Sequence, residues 1–177
     1  MSSPAVFLDR DGTLMVDVDY PNDPEQVRVF PDVRTSLQQL GHAGFVLVII
    51  TNQSGLGRGL ITPEQFRAVQ ERLFTSLGHG LIKATYFCPD LPGPEARRRK
   101  PHPTMVLEAA ADLDLDLRRS WFVGDRRIDV ECGRAAGVHP ILVLTGQGTA
   151  ADGTDALYLA KDFASATRFI LENQGVH

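Results

Sequence analysis

The chain has 177 residues and a net charge of -4 at neutral pH, a balance that gives no basic footprint for nucleic acid or for an anionic membrane. Its 43% hydrophobic and 23% charged content is ordinary for a globular protein with one buried core, so residues 1–177 are expected to form a single domain. The longest apolar stretch, "GFVLVII", is too short to cross a bilayer, and Asp9, Arg10 and Asp11 interrupt any signal-like segment. Two cysteines in unrelated contexts, Cys88 and Cys132, suit a cytoplasmic protein without a disulfide framework.

In chain order, the apolar run Ala5–Leu8 predicts a strand that opens onto Asp9-Arg10-Asp11-Gly12. Pro31–His42 has a helical pattern with Gly44 placed to end it, and Val46–Ile50 predicts a second strand leading into Thr51-Asn52. Thr62-Pro63-Glu64-Gln65 is a capping box with proline at the first helical position, opening a helix through Leu77. A strand at Ala84–Phe87 runs into a proline-rich loop and "RRRKPHP". Pro103 then starts a helix whose apolar face is Met105, Val106, Ala109 and Leu113. A strand at Trp121–Val123 ends in Gly124-Asp125, and a helix over Ile128–Ala136 ends at Gly137. Strands at Ile141–Leu144 and, with a weaker pattern, Ala156–Leu159 precede a last helix over Ala164–Glu172. Trp121 and Cys132 are expected in the core.

Alternating strands and helices imply an α/β fold with an open, doubly wound parallel sheet, and several strands are continuous apolar runs suited to burial on both faces. No stretch between the elements is long enough for a separate cap domain. In such sheets ligands sit beyond the carboxyl ends of the strands. Asp9, Asp11 and Asp125, with Thr51, Asn52 and the basic run 97–100, would meet there. Three carboxylates brought together need a cation, and all-oxygen ligation that leaves room for water suits Mg²⁺. One acid could attack phosphorus while the other handles the leaving alcohol's proton. Thr51 and Asn52 could donate to phosphoryl oxygens, and Lys100 could neutralise developing charge. "SGLGRG", residues 54–59, lacks the spacing of a dinucleotide loop and is expected to be a flexible active-site loop, and the absence of a phosphate-loop motif argues against an NTPase.

In that order, "DRDGT", "TNQSG", "RKPHP" and "VGDRRID" resemble the four signature segments of the haloacid dehalogenase-like phosphatases. Within that superfamily the likeness is strongest to the heptose-bisphosphate phosphatases and next to the histidinol phosphatases. The resemblance implies a Rossmann-like, capless fold and hydrolysis of a phosphate monoester through an aspartyl-phosphate. It places the nucleophile on Asp9, the general acid/base on Asp11, the phosphate-binding threonine on Thr51 and the charge-stabilising lysine on Lys100. Mg²⁺ would be held by Asp9, the backbone carbonyl of Asp11, and Asp125, with Asp129 orienting that centre. Substrate contacts are implied for Asp17, Tyr20, Asn52, Gln53, Ser54, Arg99 and Arg126, with Arg97 and Arg98 left to solvent. Relatives carry a zinc loop before the lysine; here only Cys88 remains, Asp90 stands where a histidine is usual, and no zinc is expected. The loop is expected to rely on Pro89, Pro92 and Pro94 for stiffness. The expected partner is a small phosphorylated metabolite, a sugar phosphate, acted on by a monomer without nucleic acid or membrane. Intact Asp9 and Asp11 speak against a retired phosphatase that only binds phospholigands.

Overall fold

Six short apolar runs become strands: β1 (Ala5–Leu8), β2 (Val46–Asn52), β3 (Ile82–Cys88), β4 (Trp121–Gly124), β5 (His139–Val143) and β6 (Tyr158–Ala160). The computed structural model describes residues 2–175, and these strands pair in parallel throughout, in the order β3-β2-β1-β4-β5-β6. The helices are α1 (Val33–His42), α2 (Ser54–Gly57), α3 (Pro63–Leu77), α4 (Thr104–Leu113), α5 (Arg127–Ala136) and α6 (Phe163–Glu172). None is long and apolar enough to cross a membrane.

Successive strand residues point to opposite faces, so each central strand feeds two cores. Val6 and Leu8 join Leu47, Ile49, Trp121 and Val123 under α1, α3 and α6. Ala5 and Phe7 join Val48, Ile50 and Phe122 under α4 and α5, where Cys132 is fully buried. Burial on both faces is why these strands are continuous apolar runs rather than alternating ones.

The element limits differ from the sequence reading by one to two residues at several ends. α1 starts at Val33 rather than Pro31 because Asp32 does not cap its own helix; its carboxylate instead accepts the Ala164 N–H at the start of α6. β5 begins at His139, whose N–H reaches Ser120 O, and stops before Leu144. β6 lies at Tyr158–Ala160 because a turn closed by Ala156 N–H on Gly153 O takes up the preceding residues. Gly137 adopts the left-handed conformation that ends α5.

Residues 54–59 are not the open loop expected. Ser54–Gly57 is a helical turn wedged between two neighbours: a Cβ on Gly55 would lie 2.7 Å from a Tyr20 ring carbon, and one on Gly57 would lie 2.3 Å from Pro89 O. Its glycines serve close packing.

The chain turns back on itself between β1 and β4, adjacent strands whose connections run to opposite sides. The carboxyl ends there leave a crevice, and Asp9 and Asp125 sit at its two lips.

α3 carries the complete capping box expected from sequence, with the Thr62 hydroxyl accepting from Gln65 N–H at 3.2 Å and Gln65 Oε1 accepting from Thr62 N–H at 2.8 Å. Thr62→Ala is expected to cost about 1 kcal/mol and lower the melting temperature by about 3 °C, with phosphatase activity at ambient temperature retained. Thermal unfolding of the two proteins side by side checks this; identical midpoints would show that the box adds nothing to stability.

Candidate active site

Asp9 follows β1 directly and is pinned across the crevice by its N–H, which donates to Val123 O at 2.9 Å. Asp125 follows β4, and Asp129 lies in the first turn of α5. One carboxylate oxygen from each of these three buried residues lies within 4.8 Å of the others. Lys100, only 3% exposed, reaches in from the far side. Its Nζ stands 2.6 Å from Asp9 Oδ1, 2.8 Å from Asp129 Oδ1 and 2.9 Å from Ile50 O. All three ammonium protons therefore have an oxygen to face. Asn52, at the end of β2, holds the lysine's backbone from both sides: its Oδ1 accepts from Lys100 N–H at 3.0 Å and its Nδ2 donates to Lys100 O at 3.2 Å.

Three carboxylates against one ammonium leave a formal deficit of two positive charges. Burial pushes the Asp9 carboxyl well above its ordinary value; Lys100 works against this, while Asp129 and Asp125 add to it. Asp125 is likewise raised, by burial first and by Asp129 second. Burial pulls Lys100 down, but Asp129 and Asp9 more than offset it and hold the ammonium above the usual lysine range. Asp125 Oδ2 accepts from Gln147 N–H at 2.9 Å, whereas its Oδ1 is buried without a hydrogen-bond partner among the described residues. An orphaned carboxylate oxygen among oxygen donors, short of two positive charges, fits a hard divalent cation. Asp129 is already engaged, through Lys100 and through the Arg126 N–H on its Oδ2 at 3.0 Å, so it orients the lysine and the helix start.

Glycines make this pocket possible. A Cβ on Gly146 would lie 1.9 Å from Asp125 Oδ2, and one on Gly12, whose φ is +86°, would lie 2.4 Å from it. The segment 145–149 was missed at the sequence level: Gln147 and two glycines carry no chemistry of their own, and only their packing on Asp125 reveals them.

Asp11 lines the same cleft two residues after Asp9. Its carboxylate is gripped by Arg10, with Nε on Oδ2 at 3.0 Å and Nη2 on Oδ1 at 3.1 Å, and by Gln53 Nε2 on Oδ2 at 2.9 Å. Gln53, expected as a substrate contact, lines the cleft, and its amide also binds protein partners: Nε2 donates to Thr51 Oγ1 at 2.9 Å as well, and Oε1 accepts from Arg10 at 3.1 Å. Because the guanidinium only donates, the amide oxygen must face it, and the amide orientation is fixed.

Asp9, Asp11, Thr51 and Lys100 line the floor of a cleft of roughly 240 Å³, with Ser54, Asp17, Tyr20, Arg99 and Arg126 around it. Arg58, at the end of α2, joins the rim and was not foreseen, because the segment looked like a flexible loop. Asp17 Oδ2 accepts from Arg126 Nη2 at 3.1 Å and from Gln147 Nε2 at 2.6 Å, which ties the substrate side of the cleft to the Asp125 side. Arg99 donates to Asp90 O at 3.0 Å; burial and the nearby Arg58 and Arg126 guanidiniums lower its pKa, against an opposing influence from Cys88. Arg97 is exposed as expected. Arg98 is not left to solvent: it clasps Glu108 of α4 through Nε at 3.0 and 2.9 Å and also donates to Phe87 O, fastening the loop between β3 and Lys100.

This fold and constellation have close counterparts. A family model described as HAD-hydrolase-like matches residues 97–166. D-glycero-D-manno-heptose-1,7-bisphosphate 7-phosphatase of Thermosynechococcus vestitus is 37% identical, over 96% of this chain and 96% of its own. The D-glycero-beta-D-manno-heptose-1,7-bisphosphate 7-phosphatase of Yersinia pestis is 38% identical over 88% of each. The solved structure of D,D-heptose 1,7-bisphosphate phosphatase from B. bronchiseptica, complexed with magnesium and phosphate, superposes with a TM-score of 0.88 at 31% identity, covering 96% of this chain and 98% of that one. The chain therefore belongs to the haloacid dehalogenase-like hydrolases, within the family of the heptose-1,7-bisphosphate 7-phosphatases. It is a phosphatase.

A methyl group at Gly146 must displace the Asp125 carboxylate. Gly146→Ala is expected to weaken binding of Mg²⁺ by about 10- to 100-fold, read by calorimetric titration on folded protein. Unchanged affinity would show that Asp125 has slack which this packing denies it.

Proposed function

We propose that the enzyme hydrolyses the 7-phosphate of D-glycero-D-manno-heptose 1,7-bisphosphate with Mg²⁺ as cofactor, and that residues 1–177 work as one domain. The observation that carries the chemistry is the Asp9 carboxylate at the cleft floor, flanked by Lys100 on one side, by the unpartnered Asp125 Oδ1 on another, and by Asp11 two residues on. Asp9, Asp125 and the backbone carbonyl of Asp11 would hold the cation, which when bound offsets the negative charge that otherwise repels a phosphate dianion.

A carboxylate oxygen of Asp9 forms a bond to phosphorus as the bond to the sugar oxygen breaks, its electron pair going to that oxygen. Asp11 supplies the proton the departing alcohol needs, then takes one from the water that attacks the aspartyl-phosphate at phosphorus, as the bond between Asp9 and phosphorus breaks and returns Asp9 to a carboxylate with release of inorganic phosphate. Lys100 stays charged throughout and keeps Asp9 in place while charge moves onto the phosphoryl oxygens. Thr51 Oγ1 already accepts from Gln53, so its own hydrogen is free to donate to a phosphoryl oxygen. Asn52 serves the reaction by holding Lys100.

The second phosphate of a bisphosphate needs a cation away from the reacting centre. Arg126 is engaged with Asp17, which leaves Arg99 and Arg58 as the guanidiniums best placed at the rim to bind it. Asp17, Tyr20 and Ser54 are left to the sugar hydroxyls. The loop 88–99 is held by Arg98 on Glu108 and closed by Arg99 on Asp90 O, and with Cys88 alone among the usual ligands it is proposed to take no zinc.

Kinetics and metal analysis test this. With Mg²⁺, the heptose bisphosphate is expected to be turned over in preference to histidinol phosphate, and Asp9→Asn is expected to abolish hydrolysis of both while the fold is kept. Chelation should stop the reaction, Mg²⁺ should restore it, and elemental analysis should find no stoichiometric zinc; hydrolysis surviving in metal-free protein, or in Asp9→Asn, would sink the mechanism. Arg99→Ala should lower kcat/KM for the bisphosphate by about one to two decades and leave an aryl phosphate nearly unaffected. Equal losses on both substrates would place Arg99 with the reacting phosphate instead.

A further inference from the structure

Arg10 lies between the two active-site aspartates and is 0% exposed. A buried guanidinium is costly unless every part of it is used. Its fork takes both oxygens of Asp11, Nη2 also reaches Gln53 Oε1 at 3.1 Å and Nη1 reaches Gln70 Oε1 at 3.4 Å, and the Phe66 ring packs 5.6 Å from its central carbon. Gln70 is in turn anchored on Thr85 Oγ1 at 3.1 Å. The guanidinium thus joins the end of β1 to α3 and, through Gln70, to β3, and its ionic partner is Asp11.

The grip on Asp11 is unequal. Oδ2 accepts two donors, Arg10 Nε and Gln53 Nε2, which fills its in-plane positions, while Oδ1 accepts one. Among the described residues, then, Oδ1 is the oxygen with an in-plane position not taken by a donor. Gln53 adds a second constraint, because one amide group donates to both Asp11 Oδ2 and Thr51 Oγ1.

We infer that Arg10, with Gln53, is a positioning residue that turns Asp11 so that Oδ1 carries the proton delivered to the leaving oxygen. This rests on the reading of Asp11 as the general acid. In the step concerned, the proton passes from Oδ1 to the oxygen that receives the electron pair of the breaking P–O bond, and Asp11 is left as the carboxylate. Lysine at position 10 would keep the buried charge but has no planar fork to fix the carboxylate's rotation.

The test uses substrates that differ in how much they need the proton: 4-nitrophenyl, phenyl and benzyl phosphate, compared by kcat/KM, which reports only steps up to leaving-group departure. Arg10→Lys and Gln53→Leu are expected to lose about 10- to 100-fold on benzyl phosphate and less than about threefold on 4-nitrophenyl phosphate, with circular dichroism confirming the fold. Asp11→Asn should show the same bias more strongly. Should Arg10→Lys not fold, Gln53→Leu carries the comparison alone. An equal loss across the three esters, or none, with Asp11→Asn still biased, overturns the positioning role. An Asp11→Asn variant without bias overturns the acid assignment itself.

Discussion

The site turns on a charge imbalance that the fold cannot relieve by itself. Asp9, Asp125 and Asp129 are shut away from water at the carboxyl ends of β1 and β4, and Lys100 is the ammonium buried among them. Burial alone would drive the Asp9 and Asp125 carboxylates to hold protons. The lysine keeps part of the cluster ionised, and the orphaned Asp125 Oδ1 marks where more positive charge is wanted. A site with this deficit attracts a divalent cation and, with it, a phosphate. Much of the surrounding structure serves to keep the four charged groups from rearranging into something neutral: Asn52 on the Lys100 backbone, Gly12 and Gly146 against Asp125, and Arg126 N–H on Asp129.

The sheet order makes that imbalance possible. Because β1 and β4 are neighbours whose connections leave in opposite directions, two loops part above them and allow Asp9 and Asp125 to face one another. β2 brings Thr51 and Asn52 from the adjacent position, and the chain after β3 returns Lys100 over the top. The side chains at the cleft thus come from the ends of β1, β2 and β4 and from the chain after β3, and one core on each face holds those ends in register.

The strands, helices and acids were legible in the sequence where one residue's chemistry decides its place. The Thr62 box, the run at Val46 and the paired aspartates at 9 and 11 belong to this class. What the sequence does not show depends on contacts distant in it. Asp32 stands just before α1, and its carboxylate is claimed by α6, more than a hundred positions away. Arg10 looks like a spacer between two aspartates until Gln70 and Phe66 close over it. Gln53 sits in a substrate-binding motif, and its amide is also held by an arginine invisible to periodicity. Arg98 seems one of several solvated cations, and only the fold brings Glu108 to it. Glycines 146 and 148 carry no polarity at all; their meaning is the space they leave for Asp125.

The two hydrogen bonds from Asn52 to the Lys100 backbone have a consequence for how this enzyme can change over evolutionary time. They isolate the lysine mechanically from the chain that precedes it. Upstream, the segment from Pro89 to Arg99 is moored separately, by Arg98 to α4, and is closed on itself by Arg99 on Asp90 O. Residues can therefore be gained or lost ahead of that mooring, and the rim recut for a different sugar, without the displacement reaching Nζ. Substrate choice and catalytic power are carried by neighbouring residues in one loop, yet they are free to drift apart.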